Sequence, residues 1–182
     1  MSINPLPGTC GCCGLDAFLD RDGKLLTLYR GMNDAQRDMM LLVGNQPAAT
    51  KSLIVGPWTV RTCPMSAAAF AQARGGIAGA WEAKGNIHLG WFGAGKPSVK
   101  NITLIHRKAH QRHPSIAANN AGSMLVAWSE NTGWKKGGDL TWRIYDAKAK
   151  PTDRQGQRPH GVPKWSFAAA AAHLDGTFEI LH

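Results

Sequence analysis

Apolar residues in this chain come in short bursts separated by Gly, Pro, Asn and Asp, a spacing that predicts strands joined by tight turns. One unit recurs: an apolar burst, a glycine turn, and a second burst ending near an aromatic residue. It reads LDAFLDRDGKLLTLYR at 15–30, AAAFAQARGGIAGAWE at 67–82 and SIAANNAGSMLVAWSE at 115–130, and a last copy, FAAAAAHLDGTFEILH, occupies 167–182. The turn glycines Gly23, Gly76, Gly122 and Gly176 are 53, 46 and 54 residues apart. That period suits one four-stranded propeller blade and is the wrong one for tetratricopeptide or ankyrin units. Two more strand candidates follow each of the first three copies: RDMMLLVGN and KSLIVGPW, then NIHLGWFG and VKNITLIH, then DLTWRIYDAK with an irregular outer strand in 151–161. The alanine run 168–172 has helical propensity, but the repeat places it, like 67–69, on an innermost strand where small side chains fit.

The prediction is therefore all-β: a partial β-propeller of about 3.5 four-stranded antiparallel blades, spanning 15–61, 62–111, 112–161 and a half blade at 162–182, within one domain. Up-and-down strand order sends alternate connections to opposite ends. The turns 20–23, 73–76, 119–122 and 173–176 fall at one end and are plain. The other end receives the lead-in segments 10–14, 62–66 (TCPMS), 112–115 (RHPS) and 162–166 (VPKWS), and the connections 29–38, 81–86 and 128–139. A functional site is expected at this second end, because function concentrates in loops on a rigid scaffold.

Composition adds modest constraints. The 182 residues are 43% apolar and 18% charged, a globular balance, and no apolar window is long enough to span a membrane. The net charge of +9 is scattered over many turns without an aromatic-basic motif, so no nucleic-acid partner is expected. Residues 1–8 do not read as a secretory signal. Cys10, Cys12, Cys13 and Cys63 do not follow a zinc-ribbon spacing, and no C-x-x-C-H haem motif occurs. The two cysteine-bearing lead-in segments are predicted to be neighbours, which points to a disulfide between Cys63 and either Cys12 or Cys13. Thiolates with Met65 would also suit a soft metal such as Cu(I), but no metal or other cofactor is predicted.

CGCCG at 10–14, YR at 29–30, RDM at 37–39, CPM at 63–65, AWE at 80–82, HP at 113–114, AW at 127–128, GW at 133–134 and P-x-WS at 163–166 together resemble the C-terminal half of bacterial sialidase-like (BNR-type) propeller proteins. The resemblance implies a propeller fold, export from the cytoplasm, and a chain about half the usual length. The family's Asp box is missing: its expected turn reads GNQPAAT at 44–50. A sialidase-like site would need three arginines, a Tyr–Glu nucleophile pair and an Asp acid/base. The loop end offers Arg30, Arg37, Asp38, Glu82, Lys84, His113, Glu130, Trp134 and Trp165 as ligand-binding candidates, with Lys135, Lys136 and Asp139 nearby, but no well-placed tyrosine. Arg30 and the Arg37–Asp38 pair also suit ion pairs bracing loops. Trp81 and Trp128, at equivalent repeat positions, are predicted to pack between blades, and His106, His110 and His113 to lie in a solvated basic loop. The leading expectation is a non-catalytic module binding an anionic glycan or a protein at its loop end. The alternatives are a glycoside hydrolase completed by further blades or a second chain, and a metal or redox accessory protein. Two open radial faces predict self-association or docking with the remaining blades.

Overall fold

The computed structural model describes residues 8–44, 51–92, 99–105, 109–133 and 135–182, with 99–104 described as backbone only. The described residues form an all-β domain of antiparallel sheets. Sheet 1 runs β1 (Asp16–Leu19), β2 (Leu25–Arg30), β3 (Met39–Gly44) and β4 (Lys51–Gly56) in sequence order. Sheet 2 repeats the pattern with β5 (Ala68–Ala73), β6 (Gly76–Ala83), β7 (Asn86–Phe92) and β8 (Val99–Ile105). Sheet 3 repeats it again with β9 (Gln111–Ala118), β10 (Met124–Glu130), β11 (Gly138–Tyr145) and β12 (Pro151–Val162). β13 (Ala169–Ala172) and β14 (Phe178–Leu181) make a two-stranded sheet 4. The alanine run is thus a strand, paired from Ala169↔Leu181 to Ala172↔Phe178. No helix long and apolar enough to cross a membrane occurs among the described residues.

The sheets pack face to face in chain order, and the two-residue period of a strand explains how. In sheet 2, Phe70, Ile77, Trp81 and Phe92 join Leu26, Leu28, Met39 and Leu41 of sheet 1 in one apolar cluster. The alternate residues Ala71, Ala78, Ala80 and Leu89 join Ile116, Met124, Val126 and Trp128 of sheet 3 in another. Ala127, Leu140 and Val162 then meet Ala168 beside sheet 4. Sheets covered on both sides need no polar face, and accordingly every residue of β10 and all but the first of β6 are buried. Trp81 and Trp128 are fully buried between sheets. The outer face of sheet 1 differs: Leu19, Leu25 and Ile54 are exposed there.

The first strands lie side by side, β1 against β5, β5 against β9, and β9 against β13. Side chains tie them laterally. Asp16 Oδ2 accepts from the Phe70 amide at 2.7 Å, and two repeats further on Ser115 Oγ accepts from the Ala170 amide at 2.9 Å. At Gly14 a Cβ atom would sit 2.9 Å from the Ala67 Cβ, so only glycine lets the first two lead-in segments approach so closely.

One lead-in segment departs from expectation. Residues 112–115 are not a loop but part of β9. Arg112 pairs with Ser129 and Ser115 with Ala127, so His113 and Pro114 together face the single Trp128 in a β-bulge. The bulge accommodates a proline without a ladder bond and bends His113 to φ 52°. It also removes His113 from the solvated basic loop expected for the three histidines: His113 is half-buried in the strand, while His110 is exposed and His106 lies outside the described residues. β12 also exceeds expectation, since the Pro/Gly/Gln-rich stretch forms a twelve-residue strand with register shifts against β11.

Candidate functional site

At the ends of the first strands where the chain enters each sheet, three lead-in segments, the start of β9 and the β10–β11 connection converge on a groove of about 430 Å³. Cys12 and Gly14 come from the segment before β1, and Met65, Ser66 and Ala67 from that before β5. β9 supplies Arg112, His113 and Ser115, the β10–β11 connection Thr132 and Lys136, and the segment before β13 Trp165 and Phe167. Met65 and Trp165 occupy equivalent places ahead of their sheets, and both take left-handed backbone, φ 48° and 63°. This conformation breaks the extended backbone just ahead of each first strand. Trp165 is 65% and Phe167 61% exposed, a pair of aromatic surfaces at the groove's edge. Phe167 packs on the His113 ring with centroids 4.6 Å apart.

The charges are arranged asymmetrically. Arg112 and Lys136 line the groove, whose described lining residues include no carboxylate and no tyrosine. Burial, with the adjacent Arg112 charge adding to it, holds the His113 imidazole down at about 4. His113 is therefore neutral at pH 7 and leaves the cationic character to Arg112 and Lys136.

Beneath the groove a buried network links the loops. The Arg30 guanidinium is buried and donates through Nη2 to the Glu82 carbonyl at 2.7 Å and through Nη1 to the Arg37 carbonyl at 2.9 Å. It also lies 5.2 Å from the centre of the Trp58 ring. Burial raises the Glu82 carboxyl above its usual range, opposed by a hydrogen bond from Ser66 and by the charges of Arg30 and Arg112. Ser66 Oγ also accepts from the His113 amide at 3.1 Å, so one small side chain joins Glu82 to β9. Arg37 Nη1 donates to the Asp34 and Gln36 carbonyls, while Asp38 Oδ1 accepts from the Trp58 amide at 2.7 Å. These residues brace loops, as one reading of the sequence expected, but through backbone groups.

The cysteines lie at one wall. Cys12 and Cys63 are disulfide-bonded, with Cα atoms 6.9 Å apart, which selects one of the two pairings left open by the sequence. Cys10 and Cys13 are thiols. Cys10 Sγ is 3.4 Å from Cys12 Sγ and 3.7 Å from Cys63 Sγ. Burial pushes the Cys13 thiol up, partly offset by a hydrogen bond to it from the Ser66 backbone.

The chain matches no protein-family model and no curated protein. The reading of the site therefore rests on its geometry.

Of the sequence candidates, His113 and Trp165 line the groove, and Arg30 and Glu82 lie beneath it. Arg37 packs on its own loop, and Asp38 and Lys84 border a separate shallow depression with Gln36 and Trp58. Glu130 is buried toward β12, where it accepts from Trp128 Nε1 at 2.8 Å and from Gln157 at 3.3 Å. Trp134 lies outside the described residues. Sequence reasoning passed over Arg112, Phe167 and Ser66 as individual candidates. Each belongs to or adjoins a lead-in segment already assigned to this end, so the loop sorting carried the signal, but nothing in the residue types singled them out.

Proposed function

We propose that this chain is a partial β-propeller of sialidase-like type, about 3.5 blades long, acting as a non-catalytic module that binds an acidic sugar in its loop-end groove. Three meandering four-stranded sheets stacked face to face, with their first strands side by side, support the propeller reading. The observation that carries the binding reading is the pairing of exposed aromatic surfaces, Trp165 and Phe167, with Arg112 and Lys136 around one groove. An aromatic face packs against the apolar side of a sugar ring, and a guanidinium takes a carboxylate by two parallel hydrogen bonds. Among the described residues the lining holds no tyrosine and no carboxylate, and burial raises the Glu82 carboxyl above its usual range. The exposed apolar residues on the outer face of sheet 1 suit a further blade or a second copy of the chain.

The test is a titration followed by tryptophan fluorescence, comparing N-acetylneuraminic acid with the neutral sugar N-acetylglucosamine. Saturable binding of the acidic sugar alone, lost in Arg112→Ala and Trp165→Ala, is expected. Equal response to both sugars, or none to either, overturns the binding reading. Turnover of a fluorogenic sialoside overturns the non-catalytic one.

A further inference from the structure

We infer that the four cysteines form a binding site for one zinc ion, occupied when the Cys12–Cys63 bond is reduced. The Sγ atoms of Cys10, Cys12, Cys13 and Cys63 all lie within 4.8 Å of one another, although Cys63 is 50 or more residues from the rest. A tetrahedral zinc–tetrathiolate has metal–sulfur bonds of about 2.3 Å, which puts its sulfurs about 3.8 Å apart. Cys10 already sits 3.4 and 3.7 Å from the two disulfide sulfurs, so opening that bond by a small side-chain rotation brings the set close to a coordination sphere. Four sulfur donors in this arrangement favour zinc over metals that prefer nitrogen or oxygen.

The surroundings fit. The turn carrying three of the ligands is pinned by the Cys10 amide donating to the Arg30 carbonyl at 2.8 Å and the Cys13 amide donating to the Cys10 carbonyl at 3.3 Å. The Ser66 backbone hydrogen-bonds the Cys13 sulfur, the kind of support that orients a thiolate ligand. A zinc–tetrathiolate carries two negative charges, and the buried Arg30 guanidinium acts electrostatically on Cys13, with its Nε finding no hydrogen-bond partner among the described residues. Cys10 is buried while Cys12 is exposed, which leaves a path for the ion.

The chemistry balances with a dithiol as reductant. Two electrons and two protons from the dithiol break the Cys12–Cys63 bond and leave two thiols, and the dithiol departs as its own disulfide. Zinc binding then releases four thiol protons to solvent and forms four zinc–sulfur bonds. Because Cys12 also lines the groove, the redox state and metal loading would set the shape of one groove wall. The inference stands whether or not the groove takes a sugar.

The full chain, reduced with a phosphine and desalted without oxygen, is titrated with Co(II) as a spectroscopic probe and then with Zn(II). The expected result is one Co(II) per chain, with intense thiolate-to-cobalt charge-transfer bands and tetrahedral ligand-field bands. Zinc should abolish both and raise the melting temperature of the reduced chain. Cys10→Ser is expected to weaken Co(II) binding at least about 100-fold. Equal binding by the oxidised chain, or a spectrum without thiolate bands, overturns the inference. The wild-type spectrum decides the matter even if Cys10→Ser fails to fold.

Discussion

The two ends of the sheet stack carry depressions of similar size, about 430 Å³ at the loop end and about 400 Å³ at the turn end, yet they are built differently. At the turn end the walls come from Asp20, Asp22, Gln72, Arg74 and Asn119, and most hydrogen bonds stay within a turn, with Asn119 Nδ2 donating to the Gly176 carbonyl of the last turn at 2.8 Å. Asp20 Oδ1 accepts from the Asp22 and Lys24 amides, and Asn119 Oδ1 from the Ser123 amide, so these turns repeat one local solution. At the loop end the partners are remote in sequence. Arg30 holds a carbonyl 52 residues away, and Cys12 a sulfur 51 away. Turns held mostly by their own Asp and Asn side chains close a sheet with little outside help. Loops that depend on one another define a shape none of them has alone, and the sulfur cluster and the aromatic-cationic groove occur there.

The sharpest way to break this contrast is at the disulfide. Cys63→Ser releases a 51-residue loop and should destabilise the oxidised protein by about 4 kcal/mol on the chain-entropy account, seen as a lower midpoint in urea. A loss under about 1 kcal/mol would mean the two segments are held without the bond. Next, Arg30→Ala strands two carbonyl acceptors in the interior and should cost about 3 kcal/mol. Arg74→Ala, at an exposed site of the turn end, should change stability by no more than about 0.5 kcal/mol. Equal effects would show that the loop end is no more interdependent than the turns. The third effect appears only in acid. His113 is held at about 4 when folded against an ordinary 6.5, so the unfolded chain binds the extra proton between those values. Stability should be unaffected above pH 6.5, fall as pH drops from 6.5 toward 4 by at most about 3 kcal/mol, and level off below. His113→Asn, which tolerates the positive φ, should remove that part of the acid loss. An unchanged profile would place the titrating group elsewhere.

Much of the architecture was readable because it is local and repeated. The 53, 46 and 54 residue spacing of the turn glycines marks the starts of sheets, and Trp81 and Trp128 at equivalent positions are buried as expected. The site was less readable. The segment RHPS has the composition of a loop, yet the Gln111 and Arg112 pairings pull it into β9 and make a bulge of His113 and Pro114. Arg30 and Glu82 are charged residues of a kind usually solvated, and the chain buries both because Arg30 finds carbonyl acceptors on two loops.

From the residues alone, the alternation of apolar bursts and turn residues determined that the described chain is all-β and where most strands begin and end, since a strand's two-residue period and a glycine's freedom at a tight turn are properties of a few neighbouring residues. Whether Cys12 or Cys13 bonds Cys63, that all four sulfurs gather within 4.8 Å, and that Arg112, Lys136, Trp165 and Phe167 share one groove were decided by the packing of the sheets. These are distances between segments with no covalent reason to meet. They take their values only after burial of Trp81, Trp128 and their neighbours has set the spacing and twist of one sheet on the next.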